Sequence, residues 1–417
     1  MPGYDSPSEI VRIASLTYED ARRQHAARWA DLRSPAEYAR DRIPGAVSVP
    51  LLDDQQRAIV GTLYKSVSPD AAYARGLAFA AAGMPDLLAR LLGRAVPAAE
   101  WEERFDALAA RLRSGSSAVE LERAADLSQR GDGWILLHCW RGGMRSRSVA
   151  ALLHTLGERV AVLDGGYKSY RSWVMQRLDA WPSAGPSPFI LISGATGTGK
   201  TLLLRALEAA APGSVLDLED LAQHRSSILG AVGRAPVSQA AFESRLAARI
   251  EELDAPPWFV EAESRKVGDV ILPPRLWNAM RDGLVVELTA QPATRVRILV
   301  EDYLERPDNT AELAARLPFL EQRLGDAWRG RLTALLAADR PDEVAALLLE
   351  HYYDPLYRHS GRGLAPGMTV AAEEPARVER LLALRSRAVE LPLGTCAASS
   401  ASPACPGRTS LPNSTRP

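Results

Sequence analysis

Phe189-Ile-Leu-Ile-Ser-Gly-Ala-Thr-Gly-Thr-Gly-Lys-Thr201 is the stretch on which the reading of this chain turns. Phe189 to Ile192 is an apolar run short enough to be a buried strand. The segment Gly194 to Thr201 fits the pattern G-x-x-x-x-G-K-[ST], and an apolar helical pattern follows from Leu202 to Ala209. A strand that hands a loop to a helix N-terminus turns backbone N–H groups and the positive end of the helix dipole toward one point, where a phosphate is stabilised. Gly194, Gly197 and Gly199 bring those amides around the phosphate, Lys200 reaches its outer oxygens, and Thr201 can hold a Mg²⁺ ion. The acid partner of that ion is expected at a strand end. Glu261, after Trp258-Phe-Val260, is preferred over Asp217, after Ser214-Val-Leu216. The pattern specifies a phosphate and not what carries it, so a nucleotide such as ATP and a prenyl diphosphate both fit.

Outward from this loop, Ser214-Val-Leu216, Trp258-Phe-Val260 and Leu284-Val-Val-Glu-Leu288 read as buried strands, alternating with helical patterns such as Gln239 to Leu253. That alternation predicts a doubly wound α/β domain over residues 187–385. Upstream, Trp181-Pro-Ser-Ala-Gly-Pro-Ser-Pro188 can continue neither a helix nor a central strand and marks a linker. Before it, residues 10–180 read as a second α/β domain with strands at Ala46–Val49, Trp134–His138 and Val160–Leu163. A long helical stretch from about Asp70 to Gln129 is inserted between the first two. Residues 386–417 are small, polar and Pro-rich without periodicity, and are expected to form a disordered tail.

The first domain carries a second constellation, His138-Cys-Trp-Arg-Gly-Gly-Met-Arg-Ser146, between an apolar strand and the helical run Val149 to Leu153. Gly142 and Gly143 let the loop curl its N–H groups inward, and Arg141 and Arg145 add positive charge. All of these favour thiolate at Cys139, which makes it a candidate nucleophile. His138 belongs to the strand, lacks metal-ligand spacing and is read as structural. Basic and aromatic groups cluster in the same region: Tyr167, Lys168, Tyr170 and Arg171 follow a strand-ending Asp164-Gly-Gly, while His224, Arg225 and Arg234 form another group. Phosphate contacts combined with ring stacking suit an exposed RNA base.

Composition narrows the alternatives. The chain has 417 residues, 47% hydrophobic and 24% charged, which excludes fibrous and wholly disordered classes and fits two domains of ordinary size. Fifty Lys and Arg against 51 Asp and Glu leave a net charge of -1, so a nucleic-acid partner must use a local patch. Three cysteines make no disulfide framework and favour a reducing, cytoplasmic setting. No apolar run approaches the ~20 residues that span a bilayer, and no membrane partner is expected. The N-terminus lacks the pattern of a secretion signal.

Two sets of residues carry a resemblance. Asp31-Leu-Arg-Ser-Pro-Ala-Glu-Tyr38 and Arg42-Ile-Pro-Gly-Ala-Val-Ser-Val-Pro50 resemble the N-terminal signature of rhodanese domains, with Cys139 where their active-site cysteine falls. Longer strings resemble the tRNA 2-selenouridine synthase family, a rhodanese domain fused to a P-loop domain. They are Gly61-Thr-Leu-Tyr-Lys65, Cys139 to Ser146, Gly165-Gly-Tyr-Lys-Ser-Tyr-Arg171, Leu216 to Ala222, His224-Arg225, Pro236 to Glu243 and Val260 to Gly268. The resemblance runs from about Val11 to Leu384 and departs at Ser226, where glycine is expected, and at Ala262, where serine is expected. It implies a rhodanese-like α/β domain with a helical insertion, followed by a P-loop NTPase-like doubly wound α/β domain. The implied activity is a tRNA-modifying transferase that converts wobble 2-thiouridine to 2-selenouridine with selenophosphate. An S-geranyl-2-thiouridine intermediate would come from geranyl diphosphate. Cys139 would carry or deliver selenium, while Arg141, Arg145, Tyr167, Lys168, Arg171 and Arg225 would bind substrate. A persulfide sulfurtransferase with a regulatory nucleotide-binding domain, and a nucleotide-switched tRNA-binding protein, remain alternatives, because the cradle at Cys139 serves sulfur as well as selenium.

Overall fold

The computed structural model describes residues 10–24, 27–113, 119–128, 131–262, 264–304, 307–359 and 366–390. Its first unit is a six-stranded sheet: β1 (Val11–Leu16), β2 (Arg28–Asp31), β3 (Val47–Ser48), β4 (Val119–Arg123), β5 (Ile135–His138) and β6 (Val160–Leu163). The order is β3-β2-β5-β6-β1-β4, every pair parallel. The central strands β5 and β6 are buried along their whole length, as parallel strands covered on both faces must be. The second unit has β7 (Phe189–Ser193), β8 (Val215–Leu216), β9 (Trp258–Glu261), a hairpin β10 (Lys266–Val267) and β11 (Val270–Ile271), β12 (Leu284–Thr289) and β13 (Met368–Ala371). The five-stranded sheet runs β13-β12-β7-β9-β8, again all parallel. The chain is thus α/β with parallel sheets, as its alternating pattern predicts.

The structure differs from the sequence reading in the insertion. Helices at Pro69–Leu92 and Ala98–Arg113 occupy most of it and a further helix at Asp54–Ser66 precedes it, but β4 then returns to the sheet beside β1. Its sequence Val-Glu-Leu-Glu-Arg carries charge because it is an edge strand with one neighbour, where polar side chains face water. A further block of helices, Pro292–Tyr303, Pro307–Leu324, Arg331–Ala337 and Pro341–Leu348, packs around its own core of Leu317, Leu320 and Leu332. The helix Arg377–Glu390 lies against Lys200–Ala210 and ends the described chain. That helix includes residues 386–390, which the sequence reading assigned to a disordered tail; the remainder of the expected tail, with Cys396 and Cys405, lies outside the described residues.

The two sheets share more than a linker. One buried apolar cluster runs from Leu16, Tyr18 and Tyr170 through Val174 and Leu178 to Phe189, Phe242 and Leu246, so helix Gly166–Ala180 packs directly on helix Gln239–Glu252. At the edge of this contact lies Asp41. Its Oδ2 accepts the hydroxyl of Tyr167 at 2.6 Å and that of Ser244 at 2.8 Å, one from each unit. Burial raises the Asp41 carboxyl above its ordinary range, and the bonds from Tyr167 and Ser244 and the charge of Arg171 only partly offset it. Arg171, in turn, pairs with Glu243 and donates to Ser244 Oγ at 3.2 Å. Asp41→Ala should leave two buried hydroxyls without an acceptor and cost about 1–3 kcal/mol for each. Urea unfolding monitored by tryptophan fluorescence reads this, and an unchanged midpoint would show that the carboxylate does not join the units.

Candidate functional site

Cys139 follows β5 directly, at the carboxyl edge of the first sheet, where open α/β sheets place their ligands. Its loop is held by the next loop along that edge. Tyr167 N donates to Cys139 O at 2.8 Å and Lys168 N to Trp140 O at 3.0 Å. The two loops touch backbone to backbone. A Cβ on Gly142 (φ +63°) would lie 2.8 Å from Leu163 O, and one on Gly166 (φ +58°) would lie 2.4 Å from Cys139 O. The glycines of Arg141-Gly-Gly and Asp164-Gly-Gly are therefore needed for close approach as well as for turning.

Within the cradle, Cys139 is 3% exposed, and its Sγ lies 3.3 Å from Ser146 Oγ, which also contacts Gly143 O at 3.2 Å. Burial alone raises the thiol. The Ser146 hydroxyl, the Arg145 charge and the amides of Ser146 and Arg141 outweigh it and hold the thiol below its ordinary value. The cysteine has five residues between it and Arg145, and helix Met144–Thr155 starts inside the loop, so its N-terminus adds positive potential to the same point. Arg145 reaches Glu37 at 3.4 Å, Arg147 Nε donates to Gly142 O at 3.0 Å, and Arg141 is exposed. His138 is fully buried 3.5 Å from Asp31. Burial lowers it to about 4, the nearby Asp31 carboxylate offsetting this only in part, so it is neutral at physiological pH and structural, as its strand position suggests.

Asp31 and Arg33, from the segment that resembles a rhodanese signature, form a buried pair with three contacts of 2.6 to 3.0 Å, and Arg33 also donates to Asp41 O at 2.7 Å. The Arg33 guanidinium lies 3.8 Å above the Tyr167 ring. Tyr167 and Tyr170 are therefore not open stacking faces: the first is 5% exposed and committed to Asp41, and the second packs against Tyr18 and Trp173. The exposed ring at this edge is Trp140, 40% exposed and leaning on Tyr167 at 5.2 Å. Sequence reasoning quoted it within the cysteine motif without giving it a role, although an aromatic residue directly after the nucleophile was the signal. Lys168 is exposed beside it, whereas Arg171 is committed to Glu243 and Ser244.

In the second unit, the loop Gly194 to Thr201 joins β7 to helix Lys200–Ala210. Lys200 Nζ donates to Gly194 O at 2.9 Å, within its own loop. Arg295 Nε donates to Thr196 O at 2.9 Å while its guanidinium grips Asp354 at 2.6 and 3.1 Å, tying the loop to the helical block. The acid beside Thr201 is Glu219, with Oε2 3.4 Å from Thr201 Oγ1. Glu261 is fully buried at the end of β9 and accepts Leu218 N at 3.2 Å, and Asp217 caps the following helix through Asp220 N at 2.8 Å. Glu219 lies in a quoted string but was not singled out, because only the turn after β8 brings it to the loop. Among the described residues no cluster of three or more His, Cys, Asp or Glu side chains is placed to hold a metal by itself. Arg225 is committed to Asp302, at 2.5 to 3.1 Å, and lies over the Tyr303 ring. Next to it Ser226, where glycine is expected, has φ +44°.

Fold and site together define a two-sheet α/β protein that presents a cysteine biased toward thiolate at one strand end and a loop of the G-x-x-x-x-G-K-[ST] pattern at another. Residues 187–385 match the tRNA 2-selenouridine synthase AAA domain. A tRNA 2-selenouridine synthase from Nitrosomonas europaea is 28% identical over 372 residues, covering 78% of this chain and 87% of that protein. The second unit is thus similar to that family's AAA domain, and the chain as a whole is similar to a synthase of the same family. A solved N-terminal domain from Clostridium difficile 630 aligns at 25% identity over 40% of this chain and 99% of its own, with a TM-score of 0.26, too low to bear on the fold.

Two measurements follow from this geometry. Alkylation of Cys139 by iodoacetamide should persist to lower pH than for a free thiol, and Ser146→Ala and Arg145→Ala should each move the profile upward by removing a group that favours thiolate. A profile unmoved by both would remove the cradle argument. Ser226→Gly should raise stability by up to about 1 kcal/mol in thermal unfolding, since a left-handed backbone costs serine and not glycine.

Proposed function

We propose that this protein converts wobble 2-thiouridine in tRNA to 2-selenouridine with selenophosphate, through an S-geranyl-2-thiouridine intermediate made from geranyl diphosphate, in the cytoplasm. The observation that carries the reading is the Cys139 cradle: a thiol held below its ordinary range by Ser146, Arg145 and loop amides, in a chain whose second half matches the synthase AAA domain. In this reading residues 10–180 are the rhodanese-like catalytic domain with its helical insertion, and residues 187–385 the P-loop domain. The match of residues 187–385 to the synthase AAA domain and the likeness to the N. europaea synthase support tRNA as the substrate. No helix among the described residues is long and apolar enough to cross a membrane.

Electron balance selects the step at Cys139. If the thiolate took selenium itself from selenophosphate, phosphorus would leave two electrons reduced and an outside reductant would be needed to free selenium from sulfur. Attack of the thiolate on phosphorus needs none. An S–P bond forms, the P–Se bond breaks, and selenium displaces the geranylated sulfur at C2 of the base; geranylthiol leaves with a proton. Water then hydrolyses the S-phosphocysteine to phosphate. The anion cradle suits this step because its amides and Arg145 face the oxyanion that develops on phosphorus. Arg141 and Lys168, both exposed at the edge, contact RNA phosphate, and Trp140 offers the ring on which an everted base stacks. In the second unit Thr201 and Glu219 would supply oxygen ligands of the hard kind that Mg²⁺ prefers, beside the loop Gly194 to Thr201. A bound Mg²⁺ would neutralise phosphate charge there.

The test is nucleoside mass spectrometry of tRNA after incubation with 2-thiouridine substrate, geranyl diphosphate and selenophosphate. The wild type should give 2-selenouridine, and Cys139→Ser should stop at S-geranyl-2-thiouridine. Conversion only with thiosulfate, with no 2-selenouridine formed, would favour a persulfide sulfurtransferase and overturn this reading.

A further inference from the structure

The helical insertion encloses an unfilled apolar cleft of about 580 Å³ between helices Asp54–Ser66, Pro69–Leu92, Ala98–Arg113 and Met144–Thr155. Protein interiors close such space, because every unmatched wall atom forfeits dispersion contacts; voids larger than a water are few. This one lies in the size range of small-molecule sites. Its walls are aliphatic and aromatic, among them Val60, Leu77, Met84 and Phe105. Two glycines keep it open. Gly61 and Gly76 line it without side chains, and a Cβ on Gly76 would reach only ordinary contact with the Val60 methyls, at 3.6 and 3.8 Å. The covering helix Asp54–Ser66 has no buried residue although it carries Ile59, Val60, Leu63 and Tyr64, so its apolar side is incompletely packed.

The charged groups that line the cleft are all cations: Arg57, Lys65 and Arg145. Glu37 bridges two of them from outside, at 3.5 Å to Arg57 and 3.4 Å to Arg145, leaving an excess of positive charge. Arg145 is also the residue whose charge favours the Cys139 thiolate. An apolar chamber edged with cations next to a nucleophile is complementary to one kind of molecule, a hydrocarbon chain with a strongly anionic head.

We propose that this cleft binds the isoprenyl diphosphate donor, its hydrocarbon chain between the insertion helices and its diphosphate against Arg57, Lys65 and Arg145. The assignment rests on the prenylation step proposed above, and it places that donor in the first unit, leaving the loop Gly194 to Thr201 to another phosphate ligand. Binding the donor head at Arg145 brings the departing diphosphate to the cation that serves Cys139, so the two steps use one charge in succession.

Equilibrium binding of geranyl diphosphate and of decanoate to the full chain by calorimetry tests this, with variants Gly76→Leu, Lys65→Glu and Lys200→Ala. Gly76→Leu fills the cleft from a helical position where leucine is the better helix former, so its melting temperature should equal or exceed that of the wild type. It should weaken geranyl diphosphate about tenfold or more, as steric filling of an apolar pocket does. Lys65→Glu, at an exposed position, should weaken it similarly without altering the fold. Lys200→Ala should leave it unchanged, and decanoate should bind far more weakly. Geranyl diphosphate binding lost in Lys200→Ala but kept in Gly76→Leu and Lys65→Glu would overturn the assignment. Equal affinity for decanoate would overturn the diphosphate head. If the wild type forms S-geranyl-2-thiouridine while both cleft variants bind as it does, the cleft assignment falls and the reaction stands. Failure of the wild type to bind geranyl diphosphate at all would overturn both.

Discussion

The arrangement of both units depends on one buried acid and base system. Asp31 and Arg33 form a pair that is almost fully removed from water, and Arg33 extends from it to the Asp41 carbonyl and the face of Tyr167. Charges so deeply buried are stabilised only when each has its partners, and deleting one typically costs several kcal/mol. Asp41 then joins the other side, accepting Tyr167 and Ser244 at once. Because the backbone N–H of the same Tyr167 holds the Cys139 carbonyl, the position of the nucleophile follows from that of the acid. Residues that look like a fold signature in the sequence are, in the folded chain, the frame of the cysteine loop.

Much of this could be read beforehand, and what could not has physical reasons. The strands built on apolar runs, β5, β6, β7, β9 and β12, were recognisable because parallel strands buried on two faces are rich in such runs. β1 and β2 were missed: Arg12 and Ser15 interrupt the first, and the second is Arg-Trp-Ala-Asp. β4 and β13, at sheet edges, tolerate polar residues that periodicity reads as helix or loop. The loops were legible because glycine, lysine and cysteine at fixed spacing have few other uses. The partners of the surrounding polar groups were not. Tyr167, Arg171 and Arg225 look like substrate contacts from sequence, and only the tertiary structure shows their polar atoms committed to Asp41, Glu243 and Asp302. Trp140 and Glu219 gained importance the same way, from neighbours far along the chain.

Charge is distributed by the same logic. A net charge near zero conceals arginines of two kinds: those neutralised inside ion pairs, such as Arg33 and Arg225, and those left facing solvent, such as Arg141. Only the second kind can attract a polyanion, and such residues lie near the carboxyl edge of the first sheet. The mean composition therefore says little about the partner, while the pattern of pairing says a good deal.

The apolar cluster that crosses from Tyr170 and Leu178 to Phe189 and Phe242 has one more implication. The Pro- and Gly-rich segment from Trp181 to Pro188 divides the sequence but not the packing. Severing the chain there would bare large aromatic faces on both pieces, so each would be prone to self-association instead of behaving as an independent module. In heating, the halves should melt as one cooperative unit, and damage to the phosphate-loop half would be felt as lost order around the cysteine.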